Sequence, residues 1–487
     1  MGIRLLTVST AKNTSKILDE ITHIAGDELS FVMNFGDMDA DVKASSISRM
    51  NMKVAYGKQH IMKDTKYTGV LQAVENQGIL EQDISEFIDH MFRTDPRYRY
   101  RSHNLFSLQD YLDYYHIMLD VISTKVVENN ITHMLFFNIP HLGYDTMCYQ
   151  VGKALGLKMI LVTQSLFPNR FFSMKRVEDY GKLDAKGVTY PPVKIEAKSG
   201  DWFYMKGIKQ GEAKKGSLTL KGLGNIALYI VRKEPQLLLQ PKKLYEMMQR
   251  VRKIYRELPE WRDPFARFFH RNELEYFEHI IQYEEVSYDL DQPFVYFPMQ
   301  MQPEMTTSAL GGWYRDQALA IESLALMLPE NIKIYVKENP KQGAYMRGPL
   351  FFHRLKRLEN VVIVPSYANT HELTDRSLFV STVTGTVGWE ALQKGKNVLV
   401  FGRTWYASFP GAFTYREDLT YEEIVNYKID HHALEKAYGI LLGKSHEGVI
   451  DRHYTQLVEA FDETKNIKQT AQTIWKLCKE KEEFTFG

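Results

Sequence analysis

Short apolar runs alternate with helical patterns twice along this sequence, once in each half. In the N-terminal half, the runs predicted to be strands are residues 3–8, 29–34, 131–138 and 158–163. In the C-terminal half they are residues 294–298, 333–337, 361–364, 378–383 and 397–401. Because strands that alternate with helices form parallel sheets through right-handed crossovers, the sequence predicts an α/β fold with two doubly wound, Rossmann-like parallel sheets.

The length of 487 residues supports this division, because a single core rarely organises so long a chain. We expect Rossmann-like domains at residues 1–170 and 292–440. Residues 171–291 are predicted to be an insertion with bridging helices, and this segment is partly basic. Residues 441–487 are predicted to be helical and to pack back on the N-terminal domain.

Charge and cysteine content exclude several classes of protein. The 61 Lys and Arg residues nearly balance the 60 Asp and Glu residues, so no overall field attracts nucleic acid. The two cysteines, Cys148 and Cys478, are too few for a disulfide framework and lack the spacing of metal ligands.

No segment is long and apolar enough to span a bilayer, and the N-terminal run lacks a cleavage site, so we expect a cytoplasmic protein.

Ligands of open parallel sheets bind at the carboxyl ends of strands, so the loops after the C-terminal strands are candidate sites. The loop after the fourth of these strands carries Thr384, Gly385, Thr386 and Gly388 and leads into a predicted helix. Free backbone N–H groups and the positive end of that helix would bind a phosphate, and Glu390 would accept ribose hydroxyls. The alternative is that these small residues only form a tight strand-to-helix turn.

Two other loops of the C-terminal sheet are polar. Lys337 ends the second strand and would neutralise a diphosphate or a sugar carboxylate, and Glu338 after it would orient that group or bind a hydroxyl. The alternative is a solvated, charged strand end. The loop after the first strand is longer than such connections usually are, which is typical of a functional loop. Its residues Gln302, Glu304 and Thr306 would frame the donor sugar.

These motifs resemble those of bacterial capsule polysaccharide biosynthesis proteins, a family that includes Kdo transferases and is similar to GT-B transferases using CMP-activated nonulosonic acids. The resemblance rests on segments 295–298, 302–307, 311–312, 335–338 and 386–392. It implies a GT-B-like fold in which two Rossmann-like domains face across a cleft, with the acceptor in the N-terminal domain and the donor in the C-terminal one. Tyr367 would then lie near the base of the nucleotide.

One position departs from the family pattern. Many members carry histidine in a Lys-Glu-His-Pro motif, where it is placed to contact the donor phosphate, and this sequence has Asn339 there. An amide donates a hydrogen bond, but it is neither a cation nor a general acid. Asn339 is therefore expected to bind the donor in a different way from the histidine of those relatives.

From the motifs and the resemblance we predict a glycosyltransferase that moves a sugar from a nucleotide donor to a bacterial capsule or other surface polysaccharide, or to a lipid-linked primer. A CMP-activated ulosonic acid, such as Kdo or a nonulosonic acid, is one candidate donor. No cofactor or metal is expected, because the nucleotide sugar is a substrate and basic groups would take the charge of the leaving phosphate. The alternatives are a non-catalytic sugar-binding protein of GT-B-like fold and a sugar-nucleotide epimerase of that fold.

The base that deprotonates the acceptor is expected in the N-terminal domain. His141 and Asp145 follow a buried strand on the predicted cleft side, and either is a candidate. The competing interpretation is that Asp145 caps a helix and His141 is merely polar. Asp37, Asp39 and Asp41 resemble the metal motif of GT-A enzymes, although we favour a solvated loop.

A stretch of the predicted insertion, residues 206–243, carries nine basic residues and only two acidic ones. Such clusters bind anionic lipid, and Leu228, Tyr229 and Ile230 beside the charges would add a shallow apolar contact. The sequence therefore predicts peripheral contact with the inner membrane surface. A solvated helical face or a groove for an acidic glycan would account for the same charges.

Overall fold

The computed structural model describes residues 2–9, 14–36, 48–51, 66–67, 69–70, 84–93, 107–187, 189–197, 220–233, 235–257, 288–342 and 347–487. Within these ranges the strands are β1 (Ile3–Ser9), β2 (Leu29–Gly36), β3 (Ser48–Asn51), β4 (His133–Phe136), β5 (Lys158–Gln164), β6 (Arg170–Met174), β7 (Phe294–Pro298), β8 (Lys333–Lys337), β9 (Val361–Val364), β10 (Val380–Thr382), β11 (Val398–Val400), β12 (Ala412–Thr414) and β13 (His446–Glu447).

The helices of the described ranges are α1 (Thr14–Ala25), α2 (Ile84–Arg93), α3 (Leu108–Glu128), α4 (Tyr144–Ala154), α5 (Leu220–Lys233), α6 (Pro241–Glu257), α7 (Gln317–Met327), α8 (Pro349–Lys356), α9 (Thr370–Arg376), α10 (Thr386–Gln393), α11 (Tyr421–Val425), α12 (His431–Lys444) and α13 (Glu463–Cys478). None of them is both long enough and apolar enough to cross a membrane.

The N-terminal half is built on a seven-stranded sheet with strand order β13-β6-β5-β4-β1-β2-β3. Strands β1 to β5 run parallel, whereas β6 is antiparallel to both β5 and β13. Side chains on both faces of β4 and β5 are buried. That burial explains why these strands read as continuous apolar runs in the sequence rather than as alternating ones.

The C-terminal half is built on six parallel strands in the order β12-β11-β10-β7-β8-β9. If β7 to β12 are numbered 1 to 6, the order read from the β9 edge is 3-2-1-4-5-6. This is the strand order of a dinucleotide-binding Rossmann sheet. The direction of winding reverses between β7 and β10. Side chains that follow those two strands therefore meet at the switch point, where ligands of such sheets bind.

The predicted α/β fold with two doubly wound, Rossmann-like sheets is confirmed, and the chain is GT-B-like in carrying both. The sequence does not predict β6, β12 or β13: β6 lies between β5 and β13 where no regular element is expected, and β12 and β13 are only three and two residues long. Helix α10 begins at Thr386 rather than at Trp389, which places Thr386 and Gly388 in its first turn. Ile230 of the basic stretch is 6% exposed and packs on the C-terminal core, so it is not available for the predicted membrane contact.

The two halves are in direct contact. Phe167, in the loop after β5, packs against Trp405 with ring centroids 5.1 Å apart, and Trp405 packs in turn on Trp389 of α10. Residues of α13 share a core with α1 and with β4 and β5, so the helix from the C-terminal end of the sequence covers the N-terminal sheet. The candidate phosphate turn is therefore supported by residues from both halves.

Candidate active site

Gln300 joins the two loops at the switch point of the C-terminal sheet. Its side-chain amide donates to Thr384 Oγ1 at 2.9 Å, and its Oε1 accepts from the Thr384 backbone N–H at 2.7 Å. Gln317, at the start of α7, fixes the Gln300 backbone by accepting from its N–H (2.7 Å) and donating to its carbonyl (2.9 Å). The loop after β7 is thereby held in one position relative to the turn after β10.

The turn between β10 and α10 leads directly into the helix. The Thr382 hydroxyl accepts from the Gly385 N–H at 3.1 Å, and Tyr406 donates to the Gly385 carbonyl at 2.5 Å. A Cβ on Gly388 would lie 2.2 Å from the Tyr406 hydroxyl, so this glycine is required by packing whatever binds at the turn. The first N–H groups of any helix lack intrahelical partners and attract anions, and Thr386 begins α10.

Lys337 ends β8, the neighbour of β7, and its side chain is 5% exposed. Within the described part of the chain, its ammonium group makes no hydrogen bond and no salt bridge. Burial lowers the pKa of Lys337 to about 8, and the charge of Glu338 opposes this effect. At neutral pH the group is thus a charged, buried cation, which is costly unless an anion is bound beside it.

Glu338 has both carboxylate oxygens engaged. Arg347 Nε donates to Oε2 at 3.0 Å, and the Asn339 N–H donates to Oε1 at 2.8 Å. Arg347 is 1% exposed and also donates to Gln302 Oε1 (3.2 Å) and to the Gln300 carbonyl (3.0 Å). Burial raises the pKa of Glu338, whereas the charge of Arg347 lowers it. Arg347 therefore ties the end of β8 to the loop after β7.

The other predicted residues of this loop have local roles in the backbone. Gln302 donates its N–H to Gln342 Oε1 at 2.7 Å and accepts from the Gln342 amide at 2.9 Å. Glu304 accepts from the Met305 N–H at the start of a short helical turn. The carbonyl of Thr306 accepts from the Thr384 hydroxyl at 2.7 Å, and Asn339 Oδ1 accepts from the Lys341 N–H. The structure thus brings Thr306 and Thr384 into contact, while Gln302 contacts Gln342 and Arg347.

Glu390 is buried in the second turn of α10. His371 of α9, which sequence patterns gave no reason to single out, has its Nδ1 4.0 Å from Glu390 Oε2. Tyr367 follows β9 at the sheet edge, is partly buried, and makes no hydrogen bond with any described residue. Its predicted place near the base of the nucleotide stays a prediction.

In the N-terminal half, Asp145 lies at the start of α4 and its Oδ1 accepts three backbone N–H groups, those of His141, Leu142 and Thr146. His141 is buried, and its Nδ1 hydrogen-bonds to the Ile139 carbonyl. Since a carbonyl only accepts, Nδ1 carries the proton, and neutral His141 has its lone pair on Nε2. Nε2 makes no hydrogen bond with the described residues.

Three residues at or near the loops of the C-terminal sheet belong to no sequence motif. Arg347 lies in an irregular loop, and Asp89 comes from α2 in the other half of the chain. Arg403 follows β11, beside β10, is partly exposed, and has no side-chain hydrogen bond or salt bridge with a described residue. The position of Arg403 after a predicted strand is the one signal that would have pointed to it.

Asp37, Asp39 and Asp41 lie outside the described residues, so the metal motif considered from the sequence stays a hypothesis. Among the residues that the structure does describe, no three His, Cys, Asp or Glu side chains group together as metal ligands would.

Comparison with known proteins supports the resemblance. Residues 263–430 match the family model of capsule polysaccharide biosynthesis proteins, so the resemblance seen in the motifs is confirmed over this segment. No curated protein matches the chain. The family match supports a role in capsule polysaccharide synthesis.

Several solved structures are similar in fold. KpsC of Thermosulfurimonas dismutans, a β-Kdo 2,7-transferase, is 12% identical over 72% of this chain and 85% of its own, with a TM-score of 0.29. The β-Kdo 2,4-transferase of KpsC from that organism is 13% identical over 63% of this chain and 79% of its own, with a TM-score of 0.27. The MnaA–UDP complex of S. aureus is 9% identical over the whole of both chains, with a TM-score of 0.25. The likeness to these structures is one of fold alone.

Proposed function

We propose that this chain is a glycosyltransferase of capsule or other surface polysaccharide synthesis, and that its C-terminal sheet holds a nucleotide-activated sugar. The N-terminal half would hold the acceptor. The matched segment at residues 263–430 includes Lys337, Arg347 and the turn after β10, so the family resemblance and the candidate site coincide.

The observation that carries the proposal is the environment of Lys337. A buried ammonium without a hydrogen bond or salt bridge among described residues is expected to be stabilised by a ligand anion. It ends β8, next to the strand pair whose loops Gln300 joins. A donor phosphate at the start of α10, or the carboxylate of an ulosonic acid, would supply that anion. Arg403, after β11, is placed to add a second cation on the other side of β10.

His141 is proposed as the base that takes the proton of the acceptor hydroxyl. Its Nδ1–H is held by a backbone carbonyl, which leaves Nε2 as the proton acceptor of the neutral ring. Asp145 would act as a positioning residue, because its Oδ1 fixes the backbone N–H of His141 and of the residue that follows it. Glu338 would likewise position the end of β8 through Arg347 rather than transfer a proton.

A panel of CMP-, UDP- and GDP-sugars, with and without glycan acceptors, tests the activity. We expect nucleotide release that depends on acceptor and that a CMP-ulosonic acid supports best. Tight donor binding without release under any condition would indicate a sugar-binding protein instead. Conversion of a nucleotide sugar in the absence of acceptor would indicate an epimerase. Either result would contradict the proposal.

Replacing His141 tests the proposed base. His141→Gln should lower kcat by about 10²–10⁴-fold, the usual contribution of a general base, with little change in donor affinity. His432→Ala, an exposed histidine at the start of α12, is the matched control and should keep full activity. Retention of most of the activity in His141→Gln would show that another group takes the proton.

The donor phosphate is proposed to leave without a metal ion. Lys337 and the N-terminus of α10 would stabilise its charge through fixed groups. Turnover should therefore persist in EDTA. Loss of activity in EDTA that Mg²⁺ or Mn²⁺ restores would overturn this part and favour a metal-dependent reaction.

We also propose that the described residues of α5 and α6, with the turn of residues 235–239, contact an anionic membrane surface. One side of this helical segment packs on the C-terminal core through Ile230, with Leu237, Leu244 and Met247 beside it. The exposed apolar side chains of the segment are Leu220, Leu228, Val231, Leu238, Leu239 and Tyr245. Exposed apolar groups next to basic ones are typical of helices that lie in the membrane interface.

The charge of this region matches a negatively charged partner. Residues 201–257 contain thirteen Lys and Arg against five Asp and Glu, although the whole chain is nearly neutral. Lys242 and Lys243, at the start of α6, are exposed beside Leu239, which is 86% exposed. Each cation near an anionic surface contributes about 1 kcal/mol. Anionic lipid therefore satisfies both the charge and the apolar side chains, whereas an acidic glycan satisfies only the charge.

Vesicle co-sedimentation tests the membrane contact. The chain should bind vesicles that contain phosphatidylglycerol at low salt, release with added salt, and ignore neutral vesicles. Leu239→Glu should weaken binding, whereas Leu326→Glu, a change at a 91% exposed leucine of α7, should not. Equal recovery in the supernatant with and without anionic vesicles would exclude the membrane and leave an acidic acceptor as the partner.

A further inference from the structure

Trp313 is exposed, unlike the other tryptophans that the structure describes. Trp389, Trp405 and Trp475 are 2%, 6% and 8% exposed, whereas Trp313 is 75% exposed. It lies in the short helical turn Gly312–Arg315, which joins the loop after β7 to α7 at the carboxyl ends of the strands. A single exposed apolar side chain needs no special explanation, so the surroundings of Trp313 decide whether it has a role.

The turn that carries Trp313 is fixed by its neighbours. The Tyr314 N–H donates to the Gly311 carbonyl at 3.0 Å. The ring of Tyr314 packs against those of Phe401 and Tyr415, with centroid distances of 4.8 and 5.5 Å. An aromatic side chain on a fixed backbone loses little conformational entropy when it binds a ligand, so it offers a large contact area at low cost.

The same turn lies beside the candidate phosphate site. The Arg403 N–H donates to the Leu310 carbonyl at 2.8 Å, which brings the loop after β7 to the end of β11. Gly402 packs so closely here that a Cβ on it would lie 2.6 Å from the Leu310 oxygen and 2.7 Å from Thr384 Cγ2. Arg403 therefore lies next to both the turn at Thr384 and the loop that leads to Trp313.

Arg403 supplies a positive charge at this place. Its side chain is partly exposed and makes no hydrogen bond or salt bridge with a described residue. Of the nearby acidic side chains, Asp316 is paired with Arg354 at 2.8 Å, whereas the charge of Glu417 acts on Tyr314. A guanidinium binds carboxylate and phosphate groups, and the face of an indole ring packs against the C–H groups of a sugar.

The position of Trp313 fits the acceptor rather than the donor. Lys337, the proposed partner of an anionic group of the donor, ends β8, whereas Arg403 follows β11, and β7 and β10 lie between these strands. A donor that extends from the start of α10 towards Lys337 leaves the β11 side available for another ligand. A glycan with acidic groups offers both a sugar ring for Trp313 and a negative charge for Arg403.

We propose that Trp313 and Arg403 form a binding platform for an acidic glycan acceptor. This inference rests on the proposed function, and it adds that the C-terminal half also holds part of the acceptor, apart from the region of His141. The competing explanations are that Trp313 stacks on the base of the nucleotide or that it contacts the membrane.

Calorimetry on the full chain with acidic and neutral oligosaccharides tests the platform. The acidic probes are oligosialic acid, oligogalacturonate and hyaluronan fragments, and maltotetraose is the neutral probe. At least one acidic probe should bind more tightly than maltotetraose. Trp313→Ala should weaken that binding by about tenfold or more, whereas Trp313→Phe should keep most of it, because an aromatic face remains. The affinity of Trp313→Ala for CMP, UDP and GDP should change by less than about twofold, because the platform lies outside the nucleotide site.

Replacing Arg403 tests the charge. Arg403→Met should bring the affinity for the acidic probe close to that for maltotetraose, because the charge-assisted contact is lost. Since Arg403 also lies beside the turn at Thr384, this change should weaken nucleotide binding too. The matched controls are Leu326→Ala, at a 91% exposed leucine near the other end of α7, and Arg357→Met, at an exposed arginine just after α8. Both should bind every probe as the unmodified chain does.

Three results would contradict the platform. If no acidic probe binds more tightly than maltotetraose, the chain does not select an acidic glycan. If Trp313→Ala lowers nucleotide affinity and leaves oligosaccharide affinity unchanged, the ring serves the base of the nucleotide. If this variant instead loses only its binding to phosphatidylglycerol vesicles, Trp313 is a membrane contact.

These results are separable from a failure of the proposed function. Nucleotide release that depends on an acceptor is compatible with each of the three, so they leave the proposed function intact. Oligosaccharide binding through Trp313 without nucleotide release from any donor would contradict the proposed function and leave the platform standing.

Discussion

The two buried cations of the candidate site differ in what surrounds them. Arg347 donates to a carboxylate, an amide oxygen and a backbone carbonyl, so its charge is compensated within the fold. Lys337 has only the nearby charge of Glu338, which already binds Arg347. A ligand anion would gain far more from Lys337 than from Arg347. We therefore assign anion binding to Lys337 and organisation of the loops to Arg347.

The pKa of Lys337 predicts how nucleotide affinity depends on pH. Burial lowers this pKa to about 8 in the free protein, and a bound phosphate favours the charged form, so it raises the pKa in the complex. Affinity should therefore be constant below about pH 7 and fall as the pH rises through about 8, by up to about tenfold per pH unit. Lys337→Gln should bind weakly at neutral pH and lack this decrease. Calorimetry from pH 6.5 to 9.5 measures the nucleotide affinity of the unmodified chain and of the variant. If the affinity of Lys337→Gln falls in the same way, another group causes the pH dependence.

Arg347 should be needed for stability as well as for the site. Arg347→Met leaves Glu338 buried without its charged partner, and breaking a buried pair in this way costs about 3–5 kcal/mol. Removing the second charge as well, in Arg347→Met/Glu338→Gln, should restore most of the lost stability without restoring activity. Urea unfolding of the two variants measures the difference. If the double variant is no more stable than the single one, the cost does not arise from the uncompensated carboxylate.

At the scale of elements, the sequence predicts the central strands of the C-terminal sheet better than its edges. Strands β7 and β8 are apolar runs buried on both faces, and such runs are recognisable without any knowledge of their neighbours. Strand β12 spans three residues and β13 two, which is too short for a pattern. The sequence also predicts a later start for α10 than Thr386, because Gly388 lowers the helical propensity of its first turn.

The candidate site could be predicted only where it lies on strand ends. Gln302, Lys337 and Thr384 follow adjacent parallel strands, so topology alone brings them to one edge of the sheet. Arg347 and Asp89 reach the same place from an irregular loop and from the other half of the chain, and no local pattern encodes such tertiary contacts. The sequence also does not reveal that both carboxylate oxygens of Glu338 accept hydrogen bonds from Asn339 and Arg347.

Helix α10 provides a test of whether its first turn must contain glycine. In Gly388→Ala the new Cβ would lie 2.2 Å from the Tyr406 hydroxyl, so either the helix or the tyrosine must move. Such overpacking costs about 1–3 kcal/mol and should weaken nucleotide binding at the turn. Gly388→Ala/Tyr406→Phe should recover part of the loss, because the nearest atom is removed. Stability is read from urea unfolding, and binding from calorimetry.

Gly224 is the matched control for that change. It lies in helix α5, and a Cβ there would meet no atom within 4 Å. Gly224→Ala should therefore raise stability by about 0.5–1 kcal/mol through helix propensity and leave binding unchanged. If both glycine variants lose stability, the clash with the Tyr406 hydroxyl does not explain the cost of Gly388→Ala.

At the scale of the whole molecule, several segments cross between the halves. Gly181 lies so close to the Thr404 carbonyl that a Cβ would be 1.9 Å from its oxygen, and its φ of +86° also requires glycine. Arg170 of β6 donates to the Leu442 carbonyl at 3.1 Å, at the end of α12. The Val193 N–H donates to the Glu435 carbonyl of that helix. Backbone contacts of this kind do not separate without cost, so we expect the halves to unfold together.

Helix α13 is where this coupling can be tested. Ile474 of α13 is fully buried in a core with Ile17 and Ile21 of α1, so Ile474→Ala should cost about 2–5 kcal/mol, even though α13 follows the C-terminal sheet in the sequence. Lys476→Ala, an exposed change on the same helix, should change stability by less than about 0.5 kcal/mol. A bound nucleotide should raise the melting temperature of the chain, including that of Ile474→Ala, in one transition. Two separate transitions, of which Ile474→Ala lowers one and the nucleotide raises only the other, would show that the halves unfold independently.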